Sequence, residues 1–229
     1  MAAGTQMDDA LSTSAFLTAI EESKQLPSSL QGGKNGMNMK KALVPHYSLA
    51  FVYGTLKKGF GNYWLMEEQI LKGHAGFFGT AETKQRFPLV CGPFQVPFLL
   101  NIPSDGQHVV GELYLVDRIA LARLDELEGV DKGHYERSCL LVSGLHIDSP
   151  ARSMLGDGCI VEDWMEFKAE AYFAASHYAR RLAQAPHLKA YTEKEAANYT
   201  RRKDRPQNYT FLQHIQAWIA KQGFANLEH

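Results

Sequence analysis

Glu128 ends the run "DRIALARLDELE", whose apolar residues recur at helical spacing. At ~100° per residue, Leu121 and Leu124 stand about 60° apart on the helical wheel, and Glu128 falls between them. A carboxylate is thus set inside an apolar stripe, while Glu126 points away from it as a solubilising acid does. Gly129 supplies a helix stop, which puts Glu128 in the last turn. Lost hydration against apolar walls and the partial negative charge of a helix C-terminus both raise a carboxyl pKa. A glutamate tuned in this way can take and return a proton near neutral pH. The same spacing also allows a helix that stops earlier and leaves Glu128 in water, and periodicity alone keeps both readings open.

A second candidate lies in "FVYGTLKKGFGNYWLM", residues 51–66. Gly54 ends an apolar strand, and the N–H groups that follow it can converge on one anion, as turns after a strand often allow. A carboxylate-binding nest and a plain structural turn are the two readings. Gly54 and Gly59 have the spacing of a nucleotide loop, but Phe60 and Gly61 replace the required Lys-Ser/Thr, so phosphate binding is set aside. Glu112 in "GELY" is a reserve acid, expected to face solvent or a basic neighbour on its alternating strand. Tyr135 can donate to a substrate or bury its ring in the core. Tyr191 and Tyr199 are candidates to cover a pocket. The histidines show no HExxH or other convincing metal pair. "RRKDR", residues 201–205, reads as a solvated surface turn.

The elements that must position these residues follow from local pattern. "YSLAFVY" reads as a buried strand, and Asn62 as the cap of a short helix carrying Trp64, Leu65 and Met66. "PLV", "VPFLLNI" and "HVVGELYLV" read as neighbouring antiparallel strands. "YERSCLLVS" and "FKAEAYFAAS" are two further strands, with a loop insertion between Ser143 and Phe167. A last helix is expected to begin near Asp204-Arg205-Pro206, with Phe211, Leu212, Ile215, Trp218 and Ile219 on one face. Strands dominate without βαβ alternation, which points to an α+β fold with a curled, barrel-like sheet.

The 229 residues suit one core, expected over 45–226. Residues 1–44 read as an N-terminal extension and linker, and 227–229 as a tag scar. A formal net charge of −1 gives no global field toward nucleic acid or an anionic membrane, so the expected partner is a small molecule. No apolar run approaches the ~20 residues of a membrane span. Cys91, Cys139 and Cys159 stand apart with no CxxC spacing, consistent with a reducing, cytoplasmic setting.

Six blocks in order, "FVYGTLKKG", "FPLV", "VPFLLNIP", "VVGELYLVD", "LDELEGV" and "YERS", resemble the gamma-glutamyl cyclotransferase-like superfamily, most closely its gamma-glutamylamine cyclotransferase branch. The resemblance runs from about Tyr47 to Arg205. The N-terminal extension, the insertion and the last helix depart from the family pattern. It implies a small mixed β-barrel with flanking helices, a substrate-binding loop formed by Tyr53, Gly54, Thr55 and Leu56, and Glu128 as the catalytic acid/base. It also implies cyclisation of a gamma-glutamyl group to 5-oxoproline with release of an amine and with no cofactor. A cyclotransferase for gamma-glutamyl amino acids or a tailored natural product keeps that chemistry with another leaving group. A non-catalytic member would use the pocket only to bind a small ligand.

Overall fold

The structure, a computed structural model, describes residues 47–147 and 165–224. The extension at 1–44, Cys159, most of the insertion and residues 227–229 lie outside them.

Five strands close a barrel. β1 (Ser48–Val52) pairs antiparallel with β5 (Val110–Val116), which pairs with β2 (Ala75–Thr83). β2 continues to β6 (Tyr135–Ile147), and β6 to β7 (Glu166–Ala174), both antiparallel. A parallel pairing of β7 with β1, at Ala50 and Glu170, shuts the ring. A short hairpin of β3 (Leu89–Cys91) and β4 (Pro97–Leu99) extends the sheet beside β7. The expected mixed barrel with flanking helices is therefore the observed architecture.

Strand alternation divides the core. Phe51, Phe78, Leu113, Val142 and Phe173 meet inside the barrel, while Val52, Tyr114, Tyr135 and Ala174 face outward. Helices cover that outer face: α1 (Tyr63–Leu71) with Leu65 and Met66, α2 (Arg118–Glu128) with Ala120 and Leu124, and α3 (Ser176–Leu182) with Tyr178 and Leu182. A short α4 (Glu193–Ala196) precedes α5 (Phe211–Gln222), which buries Ile215 and Ile219. Its Phe211, Leu212 and Trp218 pack beside them, as the apolar face of the sequence requires.

Several local expectations change. The strand of "HVVGELYLV" pairs with β1 and β2, not with "VPFLLNI". β2 itself, "AGFFGTAET", carries two glycines and little β-branching, so local propensity does not mark it. Ser143 pairs with Glu166, so the last two strands run on past the expected edges of the insertion. Asn62 makes no side-chain cap; its amide turns to Thr55 instead. α5 starts at Phe211 because Thr210 and Gln213 form a reciprocal capping box, while Asp204 is taken up by Arg201.

Candidate active site

α2 ends at the mouth of a cleft. Asp117 caps its start, accepting from the N–H groups of Ile119 at 2.8 Å and Ala120 at 2.9 Å. Gly129 ends it at φ +65°, and a Cβ there would meet His134 Nδ1 at 2.6 Å, so both backbone sign and space call for glycine. The last turn is tied to the barrel wall through Asp125, which accepts from Tyr172 Oη at 2.8 Å and pairs with Arg137 at 2.9 Å. Asp125 lies three positions before Glu128 in the same last turn, so the turn that presents the acid is held by the barrel.

Glu128 lines a cleft of about 110 Å³ together with Tyr53, Gly54, Thr55, Leu56 and Tyr135. The structure thus brings the leading acid, the loop at 53–56 and Tyr135 into one cleft. The reading that leaves Glu128 in open water is overturned: burial pushes its carboxyl from 4.5 up to about 7. Glu126 pairs with Arg123 on the outside, as its angle on the wheel requires.

Four tyrosines surround the acid without binding it. Tyr53 donates to Tyr172 O at 2.6 Å, Tyr135 to Pro97 O at 3.1 Å, Tyr172 to Asp125, and Tyr178 to His134 O. Each hydroxyl is pushed to higher pKa by burial, with the Glu128 charge contributing, so all four stay neutral donors. Their protons are committed elsewhere. Among the described residues no hydrogen bond or ion pair engages the Glu128 carboxyl, which leaves it available to a substrate proton. Tyr135 answers both of its readings, since its ring is stacked on Phe98 in the core and also forms part of the cleft wall.

The loop after β1 forms another part of the cleft wall. Lys57 N–H closes a turn onto Gly54 O at 3.1 Å, and Asn62 bonds Thr55 twice, from its N–H and from its side-chain amide, at 2.9 Å each. A Cβ at Gly54 would come within 2.6 Å of Pro97 Cγ, so glycine lets the loop lie against β4. The N–H groups of Gly54, Thr55 and Leu56 donate to no acceptor among the described residues. Glu112, the reserve acid, does not line the cleft; it accepts from Lys58 N–H and Tyr114 Oη, both at 2.9 Å, and anchors the far end of the loop. Burial pushes its carboxyl up, with those same donors and the nearby lysines opposing.

Some lining residues were not legible beforehand. Arg202 and Arg205 belong to the stretch read as a solvated turn, yet both line the cleft. Arg205 donates to Thr200 O at 2.9 Å, and its guanidinium lies over the rings of Phe94 and Tyr199. Tyr199 lines the cleft as expected, whereas Tyr191 is buried behind it and donates to Gln95 O at 3.1 Å. His134, Tyr172 and Phe211 complete the wall. No spacing rule connects Glu128 to residues that far along the chain; charge clustered at 201–205 was the one available signal.

Comparison with known proteins gives a consistent result. A family model described as gamma-glutamyl cyclotransferase, AIG2-like, matches residues 50–193. A putative gamma-glutamylcyclotransferase of Arabidopsis thaliana is 42% identical over 180 residues, which is 76% of this chain and 92% of that protein. The gamma-glutamylaminecyclotransferase of Rattus norvegicus is 35% identical over 146 residues, 63% of this chain and 96% of that one. The crystal structure of an AIG2-like protein from Mus musculus superposes with a TM-score of 0.57 at 30% identity, covering 70% of this chain and 99% of its own.

Proposed function

The chain belongs to the gamma-glutamyl cyclotransferase, AIG2-like family, and on that premise we propose that it is a gamma-glutamylamine cyclotransferase using Glu128 as general acid and base. The substrate's own α-amine attacks its γ-carbonyl carbon. A C–N bond forms and closes the five-membered lactam of 5-oxoproline, and the bond from that carbon to the amine nitrogen breaks. Glu128 takes a proton from the attacking amine and returns one to the departing nitrogen, so atoms and charge balance without water or a co-reactant.

The observation that carries this reading is the half-buried, unpartnered Glu128 carboxyl, its pKa raised to about 7, in a cleft that the loop residues Gly54, Thr55 and Leu56 also line. The N–H groups of Gly54, Thr55 and Leu56 suit the α-carboxylate and would bend the glutamyl chain into its attacking form. Holding amine and carbonyl together can remove several kcal/mol, on the order of 7 or more in good geometry. Tyr53 and Tyr135 shape the pocket around that chain with their rings, their hydroxyls being already committed. A cytoplasmic setting suits the free thiols of Cys91 and Cys139, the first pushed by burial up to about 12.

The test is 5-oxoproline release from ε-(γ-glutamyl)-lysine by wild type and Glu128→Gln, with γ-glutamyl-alanine in parallel. Turnover lost in a folded Glu128→Gln protein supports the assignment, and the better substrate identifies the leaving group. Wild type inert on both, or an active Glu128→Gln enzyme, overturns it.

A further inference from the structure

Beside the cleft lies a second cavity of about 310 Å³, and Val96, His134, Arg202, Arg205 and Phe211 line both. Its outer lining comes largely from Pro206 to His214, beyond residue 193 where the family match ends. This chamber is therefore built partly by residues after the family match and partly by Pro93, Phe94, Val96, Lys132 and His134 within it. Three cations line it, Lys132, Arg202 and Arg205, and no carboxylate does. The nearest acids are otherwise placed: Asp204 pairs with Arg201, and Asp131 lies on the short turn beside Lys132. Burial, followed by the charges of Arg202 and Lys132, pushes His134 to lower pKa, as expected beside a positive field.

The chamber also has an aromatic floor held under strain. Phe94 and Gln95 take left-handed backbone at φ 60° and 57°, a conformation that costs about 1–3 kcal/mol per residue outside glycine. It is maintained by Tyr191 Oη on Gln95 O and by Thr200 N–H on Phe94 O. The result places the Phe94 ring between the Arg205 guanidinium, 5.3 Å away, and the His214 ring, 4.9 Å away.

Resting on the cyclotransferase reading above, we infer that this second cavity is the subsite for the departing amine and selects one that ends in a carboxylate. With the glutamyl part between the loop amides and Glu128, the rest of the substrate must leave the cleft across the shared wall. Phe94, Tyr209 and Phe211 suit an alkyl body, and Lys132 and Arg202 suit an anionic end. A cationic end meets Lys132, Arg202 and Arg205 on the wall, with no carboxylate among the lining residues.

Three γ-glutamyl amides whose leaving amines have the same length test this: those of 6-aminohexanoate, hexylamine and cadaverine, ending in an anion, a methyl group and a cation. The expected order of kcat/KM is anion, neutral, cation, with about tenfold or more between first and last, the scale of one screened charge-assisted hydrogen bond. The ratio should shrink toward one in added salt and in the Lys132→Gln/Arg202→Gln protein, both positions being exposed. If the double variant does not fold, the wild-type ratio and its salt dependence decide. Equal turnover of all three overturns the subsite and leaves the cyclisation chemistry standing. No turnover of any, with ε-(γ-glutamyl)-lysine still cyclised, overturns the subsite alone; no turnover of that substrate either overturns both.

Discussion

In the proposed mechanism a single carboxyl carries the chemistry, and its environment makes two measurable demands. Glu128 sits at about 7 against an ordinary 4.5 because burial penalises its charge. As a base it must be ionised, so kcat/KM is expected to rise through an acid limb near pH ~7 that disappears in Glu128→Gln. The residual rate of that variant should be lower by on the order of 10²–10⁴. The stability effect has the opposite sign. The folded protein retains a proton that the unfolded chain releases at 4.5, so this contribution is full below 4.5 and is lost as pH rises through about 7. Glu128→Gln, which cannot ionise, should therefore be more stable than wild type by about 3 kcal/mol near pH 8, with the difference vanishing near pH 4. Thermal melts at the two pH values check this. Equal melting at both would mean that the carboxyl is hydrated.

At the scale of elements, the end of α2 and the start of α5 decide whether the site is assembled. Gly129 turns the chain with φ +65° directly against His134. Gly129→Ala should cost about 1–2 kcal/mol from the backbone alone. It should also lower kcat more than it raises KM, because relief of the clash displaces the turn that carries Glu128. Denaturant unfolding and steady-state kinetics separate the two effects. At α5, Thr210 accepts from Gln213 N–H at 3.3 Å while Gln213 reaches back to Thr210 N–H at 2.8 Å. Thr210→Ala is expected to remove about 1 kcal/mol, read as a lower denaturation midpoint with an unchanged slope. No loss would show that tertiary packing of Ile215 and Ile219 alone sets where α5 begins.

For the whole molecule, the described residues already contain a closed barrel, its helical cover and the cleft walls at Glu128, 53–56 and Tyr135. Removal of residues 1–44 is therefore expected to leave kcat within about twofold of the full chain, a barrier change of no more than ~0.5 kcal/mol. A large fall in kcat would give the extension a share in building the site.

Local sequence was sufficient for α2, whose apolar period and Gly129 stop are read from neighbouring residues, whereas periodicity left two placements of Glu128 open until the structure put it in the cleft. Local sequence was sufficient too for Gly54 as the point where a buried strand breaks. Where α5 starts was misjudged from sequence, because Asp204 and Thr210 are both competent caps and the choice depended on Arg201 occupying the first. β2 was invisible, since its glycines and alanines become a strand only between β5 and β6. The arginines at 202 and 205 read as surface charge until the chain after α4 folded back over the cleft. Sequence determined the fold class and singled out Glu128 and the loop at 53–56 as candidates, because periodicity and turn chemistry are local. Tertiary structure decided what faces them, because burial and the proximity of distant residues exist only once the barrel has closed.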